Sequence, residues 1–416
     1  MMWDEKIEAM PLEELKKLQL RRLKKVIKFV YERNEIYHRK FDEHGIKPSD
    51  IKSLEDLSKI PFLTKDEMRN YYPFGLLCVQ LDDCIEVHAS SGTTGKPVVD
   101  VYTKKDIEIW ADVMARSLWA NGMRRNDIMQ NSYGYGLFTG AHGFERGAQR
   151  IGALVIPVSS GNTKRQINIM KDFGVTCIAC TPSYALYMAE VAEEMGLCSD
   201  DFKLRLGFFG AEAWSDEMRR KIEEKWNIGA CEHYGLTEII GPGVVSECEE
   251  KRLHINADHF LPELIDPKTG ERIEEGEGEL VFTTLTKEAF PAIRFRTRDI
   301  ASYSEEACEC GRTLPIQSRI KGRSDDMMKV KGVIVFPSQI EEAIIRAGGS
   351  ENYQIVKKKE KEMTTLIVRV EAEDEGIAKR IEDEIYTMLN LHIPVEIVKP
   401  FSLPRSEGKA KRIVEE

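Results

Sequence analysis

The sequence predicts an α/β protein in two parts: a large N-terminal α/β domain with mixed or parallel sheets, and a small C-terminal α+β domain. Three observations carry the prediction. Between residues 76 and 322 short apolar runs alternate with helical patterns, as where Val175-Thr176-Cys177-Ile178-Ala179-Cys180 precedes a helix-like stretch over 184–195; such alternation indicates a largely parallel sheet. The pattern breaks at Gly322-Arg323-Ser324-Asp325-Asp326, a Gly-led charged run that reads as a linker. Beyond it come a strand-like run at 333–336, a helix over 338–346, strands at 353–356 and 365–370, a helix over 376–391 and a last strand at 395–398. The domain boundaries expected are therefore 1–75 for a helical arm packed on the large domain, 76–322 for that domain, 323–327 for a hinge and 328–416 for the small domain.

In the arm, Leu12, Leu15, Leu18, Leu23, Val26, Ile27 and Val30 recur at helical spacing among lysines and glutamates. Its apolar face is an expected packing surface, and one that a C2 homodimer would use. After the arm comes Ser90-Ser91-Gly92-Thr93-Thr94-Gly95-Lys96-Pro97, with four hydroxyls, two glycines and one lysine. Glycines let backbone N–H groups turn inward as an anion nest, the hydroxyls add donors and the ammonium adds charge. This is not a Walker A loop, which needs four residues between its glycines, a Ser or Thr after the lysine and a following helix. The flanks, 85–89 and 98–102, are strand-like, so the loop is expected at the tip of a hairpin.

Four further segments follow in order: Tyr234-Gly235-Leu236-Thr237-Glu238, Arg294-Phe295-Arg296-Thr297-Arg298-Asp299, the linker at 322–326, and Pro404-Arg405-Ser406-Glu407-Gly408-Lys409. Together with the loop they resemble the adenylate-forming superfamily of acyl-CoA synthetases, luciferases and peptide-synthetase adenylation domains. His88-Ala89 before the loop, Tyr133-Gly134-Tyr135-Gly136-Leu137-Phe138-Thr139-Gly140, and 322–327 with Phe336-Pro337-Ser338-Gln339-Ile340-Glu341 are similar to the phenylacetate-CoA ligase family. The resemblance implies the adenylate-forming fold with a mobile C-terminal domain, and a two-step reaction. A carboxylate and ATP give an acyl-adenylate and pyrophosphate; the thiol of coenzyme A then displaces AMP.

Residue by residue, the resemblance implies that Ser90, Ser91, Gly92, Thr93, Thr94, Gly95 and Lys96 grip the β and γ phosphates. Gly210, Ala211, Glu212, Tyr234, Gly235, Thr237, Asp299 and Arg323 would complete the nucleotide site, with Asp299 on the ribose hydroxyls and Tyr234 at the adenine. Glu238 would hold Mg²⁺. Lys409 would bridge the α-phosphate and the acyl oxygen, and Asp325 would be the hinge about which the small domain turns. Tyr133, Phe138, Gly210, Ala211 and Ile239 would wall the acyl pocket, which suits an aryl-acetic acid such as phenylacetate. Singly, each has a plainer alternative: a helix cap for Glu238, an ion pair of Asp299 with Arg296 or Arg298, a solvated tail charge for Lys409. Two positions depart from the usual pattern: Phe295 replaces a commoner tyrosine, and Ala213 stands where a proline usually precedes Trp214.

Cys248, His254, Cys308 and Cys310 supply four nitrogen and sulfur ligands, a set that structural zinc accepts. Reduced thiols beside a core histidine remain the alternative. Cys177 and Cys180 lie in an apolar strand and read as core. With a net charge of −10 the chain offers no general nucleic-acid surface, and its longest apolar run, about residues 153–158, is far short of a membrane span. Nine cysteines, mostly in apolar surroundings, suit a reducing cytoplasm. Two other functions stay open: adenylation with transfer to a carrier-protein thiol, and a non-catalytic nucleotide-binding regulatory module.

Overall fold

The computed structural model describes residues 1–90, 96–330, 333–360, 363–404 and 412–415. The chain forms two compact units, one of Met1–Ser159 and Cys231–Arg319, the other of Ser160–Ala230 and Ile320–Glu416.

In the first unit the helix Leu12–Arg33 buries Leu15, Leu23, Val26, Ile27 and Val30 on one face. These are five of the arm's seven apolar residues, Leu12 and Leu18 being half-buried, and the burial of the five leaves that part of the face unavailable to a second copy. Asn34 ends this helix and starts Glu35–Glu43, its side-chain oxygen accepting from the N–H groups of Ile36 and Tyr37. Short 3₁₀ turns replace continuous helix at Pro48–Asp50 and Glu55–Lys59, before Lys65–Asn70 opens with a Thr64/Glu67 capping box.

The strands Cys84–Ala89 and Val99–Thr103 pair antiparallel, so the expected hairpin is present. Thr103 caps Lys104–Ala120, which packs against Thr139–Ile151. Gly147 is required at that crossing, because a Cβ there would stand 2.6 Å from Met114 Cβ. Between these helices, Ile128–Asn131 pairs in parallel with Leu154–Ile156.

The rest of the first unit's sheet is antiparallel, which corrects the expectation of a largely parallel body. Gly229–Leu236, Gly241–Glu247, Leu253–Ile255, Ile316–Gln317, Phe295–Ser304, Glu277–Thr284 and Phe260–Ile265 follow one another in space. A parallel neighbour needs a crossover of a dozen residues or more, usually helical. No helix lies between 229 and 317, so no helical crossover is available there to set neighbouring strands parallel.

In the second unit, Cys177–Cys180 and Leu206–Gly210 pair in parallel, with the helices Thr163–Asp172, Pro182–Glu194 and Asp216–Trp226 in the same unit. Its C-terminal part is a four-stranded sheet in the order Val395–Val398, Met363–Glu371, Tyr353–Glu360, Ile413–Glu415. The last of these was not anticipated; it is three residues long and pairs Ile413 with Ile355. Pro337–Arg346 and Ile377–Leu389 bury Ile340, Ile344, Ile381 and Ile385 with Ile355, Val368 and Val370 of the sheet. No helix among the described residues is long and apolar enough to cross a membrane.

His233 lies in the first unit's core, 3% exposed, with its ring edge-on to Phe144 at 5.2 Å. Burial lowers its pKa to about 3, whereas an unfolded histidine titrates near 6.5. Below that value the unfolded chain takes up a proton that the folded chain refuses. Stability is therefore full above pH 6.5 and falls by about 1.4 kcal/mol per unit as the pH drops towards 3. Denaturant unfolding at pH 7.5, 6 and 5 is expected to show that slope. His233→Asn should flatten it, and an unchanged slope in the variant would assign the acid sensitivity elsewhere.

Candidate active site

Two of the residues singled out by the sequence meet in the first unit. Tyr234, on Gly229–Leu236, donates its hydroxyl to Asp299 Oδ2 at 2.7 Å. Asp299 is carried on Phe295–Ser304, where its N–H donates to Thr297 Oγ1 at 3.0 Å and Thr297 Oγ1 in turn donates to the Leu280 carbonyl. Arg296 and Arg298 both turn instead to the buried Glu279, at 2.6 and 3.8 Å. Gly235 permits the next step of the chain: a Cβ there would stand 1.9 Å from the Gly241 carbonyl oxygen. Only glycine allows the two backbones to cross so closely. Immediately after the crossing, Thr237 Oγ1 lies 3.3 Å from Thr139 Oγ1, both side chains buried.

Glu238 is 3% exposed, and its carboxylate lies 2.8 Å from the Lys65 ammonium. Lys65 was not found in the sequence. Its signal was a cation at the first position of Lys65–Asn70, where the helix dipole disfavours positive charge and a partner is called for. The backbone delivers it: Leu63 N–H donates to the Arg294 carbonyl and Arg296 N–H to the Leu63 carbonyl, at 3.0 and 2.9 Å. The arm is thereby added as a short parallel bridge beside the strand that carries Asp299. Phe295 is that bridge's partner and is 2% exposed. A tyrosine hydroxyl at this depth would require a hydrogen-bond partner that phenylalanine does not.

Of the phosphate loop, Ser91, Gly92, Thr93, Thr94 and Gly95 lie outside the described residues, as does Lys409. At the loop's margins, Ser90 N–H donates to the Val98 carbonyl and Val98 N–H to Ser90 Oγ, closing the hairpin tip. The Lys96 ammonium lies 5.8 Å from the Tyr72 ring centroid. Tyr133 is buried and stacked on Phe144 at 5.0 Å, Ile239 is fully buried and Phe138 is exposed.

The second unit holds the remainder. Gly210 ends the strand Leu206–Gly210, Ala211 adopts a left-handed φ of 71°, and Glu212 accepts from the Ser183 N–H at 2.8 Å. Arg323 forms two bonds of 2.8 Å to the carboxylate of Asp325. The residue expected at the nucleotide and the residue expected at the hinge thus hold one another.

Cys248, His254, Cys308 and Cys310 converge in the first unit, their ligand atoms all within 4.8 Å of one another. His254 Nδ1–H donates to the Leu314 carbonyl at 2.8 Å, which leaves Nε2 as the lone-pair nitrogen, 3.5 Å from Cys310 Sγ. Burial lowers His254 to about 4, keeping it in the neutral form that ligates metals, and pushes the Cys248 thiol up to about 12. Cys177 and Cys180 are fully buried and in no disulfide, as their strand pattern indicated.

The AMP-binding enzyme family matches residues 11–285, and the AMP-binding enzyme C-terminal domain matches residues 332–416. A phenylacetate-coenzyme A ligase of Thermus thermophilus is 42% identical, with 100% of this chain and 99% of that protein aligned. One from Aromatoleum evansii is 44% identical over 99% and 96%. Among solved structures, 2-hydroxyisobutyryl-CoA ligase in the postadenylation state, in complex with R3-HIB-AMP, superposes with a TM-score of 0.94 at 28% identity, covering 99% of this chain and 91% of that one. With both family domains matched and identity above 40% along nearly its whole length, the chain belongs to the phenylacetate-coenzyme A ligase family of AMP-binding enzymes.

Proposed function

We propose that the chain ligates phenylacetate or a close aryl-acetic acid to coenzyme A, consuming ATP and releasing AMP and pyrophosphate. The observation that carries this reading is the alignment of nearly the entire chain with phenylacetate-coenzyme A ligases at 42% and 44% identity. In the first step a carboxylate oxygen of the acid attacks the α-phosphorus of ATP and pyrophosphate leaves. In the second the thiol sulfur of coenzyme A attacks the acyl carbon, AMP leaves, and the thiol proton passes to solvent. The carboxylate is already a nucleophile, so the protein's work is positioning and charge neutralisation.

Asp299 is suited to the ribose hydroxyls, and its bond to Tyr234 fixes both side chains before the nucleotide arrives. Ser90 through Lys96 would hold the β and γ phosphates, with Thr237 alongside, and Lys409 would neutralise charge between the α-phosphate and the acyl oxygen. Gly210, Ala211, Glu212 and Arg323 would complete the nucleotide contacts. Tyr133, Phe138 and Ile239 would shape the acid pocket together with the backbone of Gly210 and Ala211. The Glu238 carboxylate beside the Thr237 hydroxyl is a hard-oxygen donor set that fits Mg²⁺, which when bound supplies positive charge at the phosphates. Lys65 keeps the buried Glu238 carboxylate partnered. Asp325 in segment 323–327 would be the hinge between the large domain, 76–322, and the small one, 328–416.

The cysteine and histidine set fits zinc. Tetrahedral zinc with bonds of about 2.3 Å to sulfur and about 2.0 Å to nitrogen requires S–S edges of about 3.8 Å and S–N edges of about 3.5 Å. Cys248 Sγ lies 3.8 Å from Cys308 Sγ, and Cys310 Sγ 3.5 Å from His254 Nε2. All four positions are taken by protein, so the role is structural. Nine unpaired cysteines suit a reducing, cytoplasmic setting. A homodimer would have to form through a face other than the arm's buried one; mass by light scattering decides it.

Pyrophosphate release measured with ATP and Mg²⁺ over a panel of carboxylic acids, with and without coenzyme A, is expected to be fastest with phenylacetate and to yield its thioester. Adenylate formation indifferent to coenzyme A would point to a carrier-protein acceptor. Lys409→Ala should lose adenylation by about a hundredfold or more, the scale of removing one transition-state charge partner, while retaining nucleotide binding; unchanged adenylation would remove its assigned role. Metal analysis of protein purified without chelator is expected to give one zinc per chain. A metal-free preparation that is nonetheless folded would refute the zinc assignment.

A further inference from the structure

The reaction as described leaves one buried polar cluster without a role. His88 is 1% exposed and lies near the loop end of the hairpin whose tip is the phosphate loop, opposite Asp100 and one pair from Ala89–Val99. Its Nε2 is 2.6 Å from Glu86 Oε1, and the other oxygen of Glu86 pairs with Arg146. Burial acts to raise the Glu86 carboxyl, but the bonds from His88 and Arg146 prevail and hold it at about 2. On the opposite edge of the ring, Nδ1 is 3.3 Å from the Leu137 carbonyl oxygen. That oxygen also accepts the Ala89 N–H at 2.8 Å. Both ring nitrogens therefore face oxygen atoms that can accept hydrogen bonds. The ring cannot turn aside, since Tyr102, Trp110 and His142 surround it with centroids at 5.3, 5.7 and 4.8 Å.

Leu137 belongs to the segment 133–138, which the proposed function makes a wall of the acid pocket. The same segment is tied a second time: His142 lies with Nε2 3.3 Å from the Gly136 carbonyl and its ring edge against Tyr135. His142 and Arg146 stand one turn apart on Thr139–Ile151. The acid segment, the phosphate hairpin and this helix thus share one set of bonds centred on His88.

We infer that Glu86, His88 and the Leu137 carbonyl form a clamp that sets the acid-pocket segment from the loop end of the phosphate hairpin, making His88 a positioning residue for the carboxylic acid. The inference rests on the proposed ligase reading. The clamp fixes a carbonyl on the acid side and leaves the Tyr234–Asp299 side of the nucleotide site untouched. Loss of the clamp should therefore raise the KM for the acid much more than that for ATP.

The test uses the full-length protein and acid-dependent pyrophosphate release, with phenylacetate as the varied acid. His88→Ala is expected to raise the acid KM by about tenfold, the effect of one lost hydrogen bond, with the ATP KM changed by less than about twofold. His88→Asn, whose amide N–H can donate to the Leu137 oxygen in place of Nδ1, should recover the acid KM to within about threefold of the original. Should His88→Ala fail to fold, Glu86→Gln provides the reading, with a smaller rise in the same parameter. An unchanged acid KM, an equal rise in both KM values, or no recovery with asparagine overturns the clamp. Absence of acid-dependent pyrophosphate release from the unaltered protein overturns the ligase reading and the clamp with it.

Discussion

The hairpin of Cys84–Ala89 and Val99–Thr103 forms a sheet of its own, hydrogen-bonded to no third strand among the described residues. A lone two-stranded hairpin is marginal in water, so the placement of the loop at its tip depends on side chains beneath it. The second strand is buried at all five positions. Tyr102 lies flat on Trp110 with centroids 5.2 Å apart and donates its hydroxyl to the Ile240 carbonyl; Trp110 Nε1–H donates to the Pro242 carbonyl. Asp100 pairs with Lys287, both essentially inaccessible, and the ammonium sits 3.8 Å from the Tyr102 ring centroid. Leaving either buried charge alone would cost about 3–5 kcal/mol, so a shifted hairpin is heavily disfavoured. The contacts of Tyr102 and Trp110 land on 240–242, directly after Tyr234 to Glu238. One buttress therefore locates the hairpin and the segment following the tyrosine-threonine-glutamate motif.

Much of this was legible in the sequence because local chemistry dictated it. The hairpin was readable from two strand-like flanks around a Gly-rich turn, and the strands and helices after residue 333 from their alternation of periods, the strand at 395–398 matching that expected. Less legible was what depended on distant partners. Lys65 and Glu238 meet through a backbone bridge between Leu63 and Phe295 that no local pattern encodes. His88 was visible only as a histidine beside a loop, since Glu86 and Arg146 acquire their meaning from the fold. The sheet direction was misread because apolar runs of four to eight residues look alike in parallel and antiparallel settings. The absence of any helix from 229 to 317 carried the information.

The Asp299 carboxylate accepts the neutral hydroxyl of Tyr234. Deeper in the unit, ion pairs are matched: Arg116 with Asp258, Arg294 with Glu263, Arg312 with Glu8. Arg294 also donates to the carbonyls of Ser58 and Ile60, holding the stretch that leads into Leu63. The matched pairs bind together elements far apart in sequence.

Arg312 belongs to the loop that carries Cys308 and Cys310, and its Nε donates to Glu8 at 2.7 Å across 304 residues of chain. Glu8 in turn accepts the N–H groups of Trp3 and Asp4, and its own carbonyl accepts from Thr313 N–H. During vectorial synthesis on the ribosome, Glu8 emerges long before the arginine that neutralises it. The segment before the long helix cannot complete this docking until Arg312 has been made. Its seating is therefore a late event in the maturation of the first unit, following the formation of the strands on which the cysteine loop is mounted.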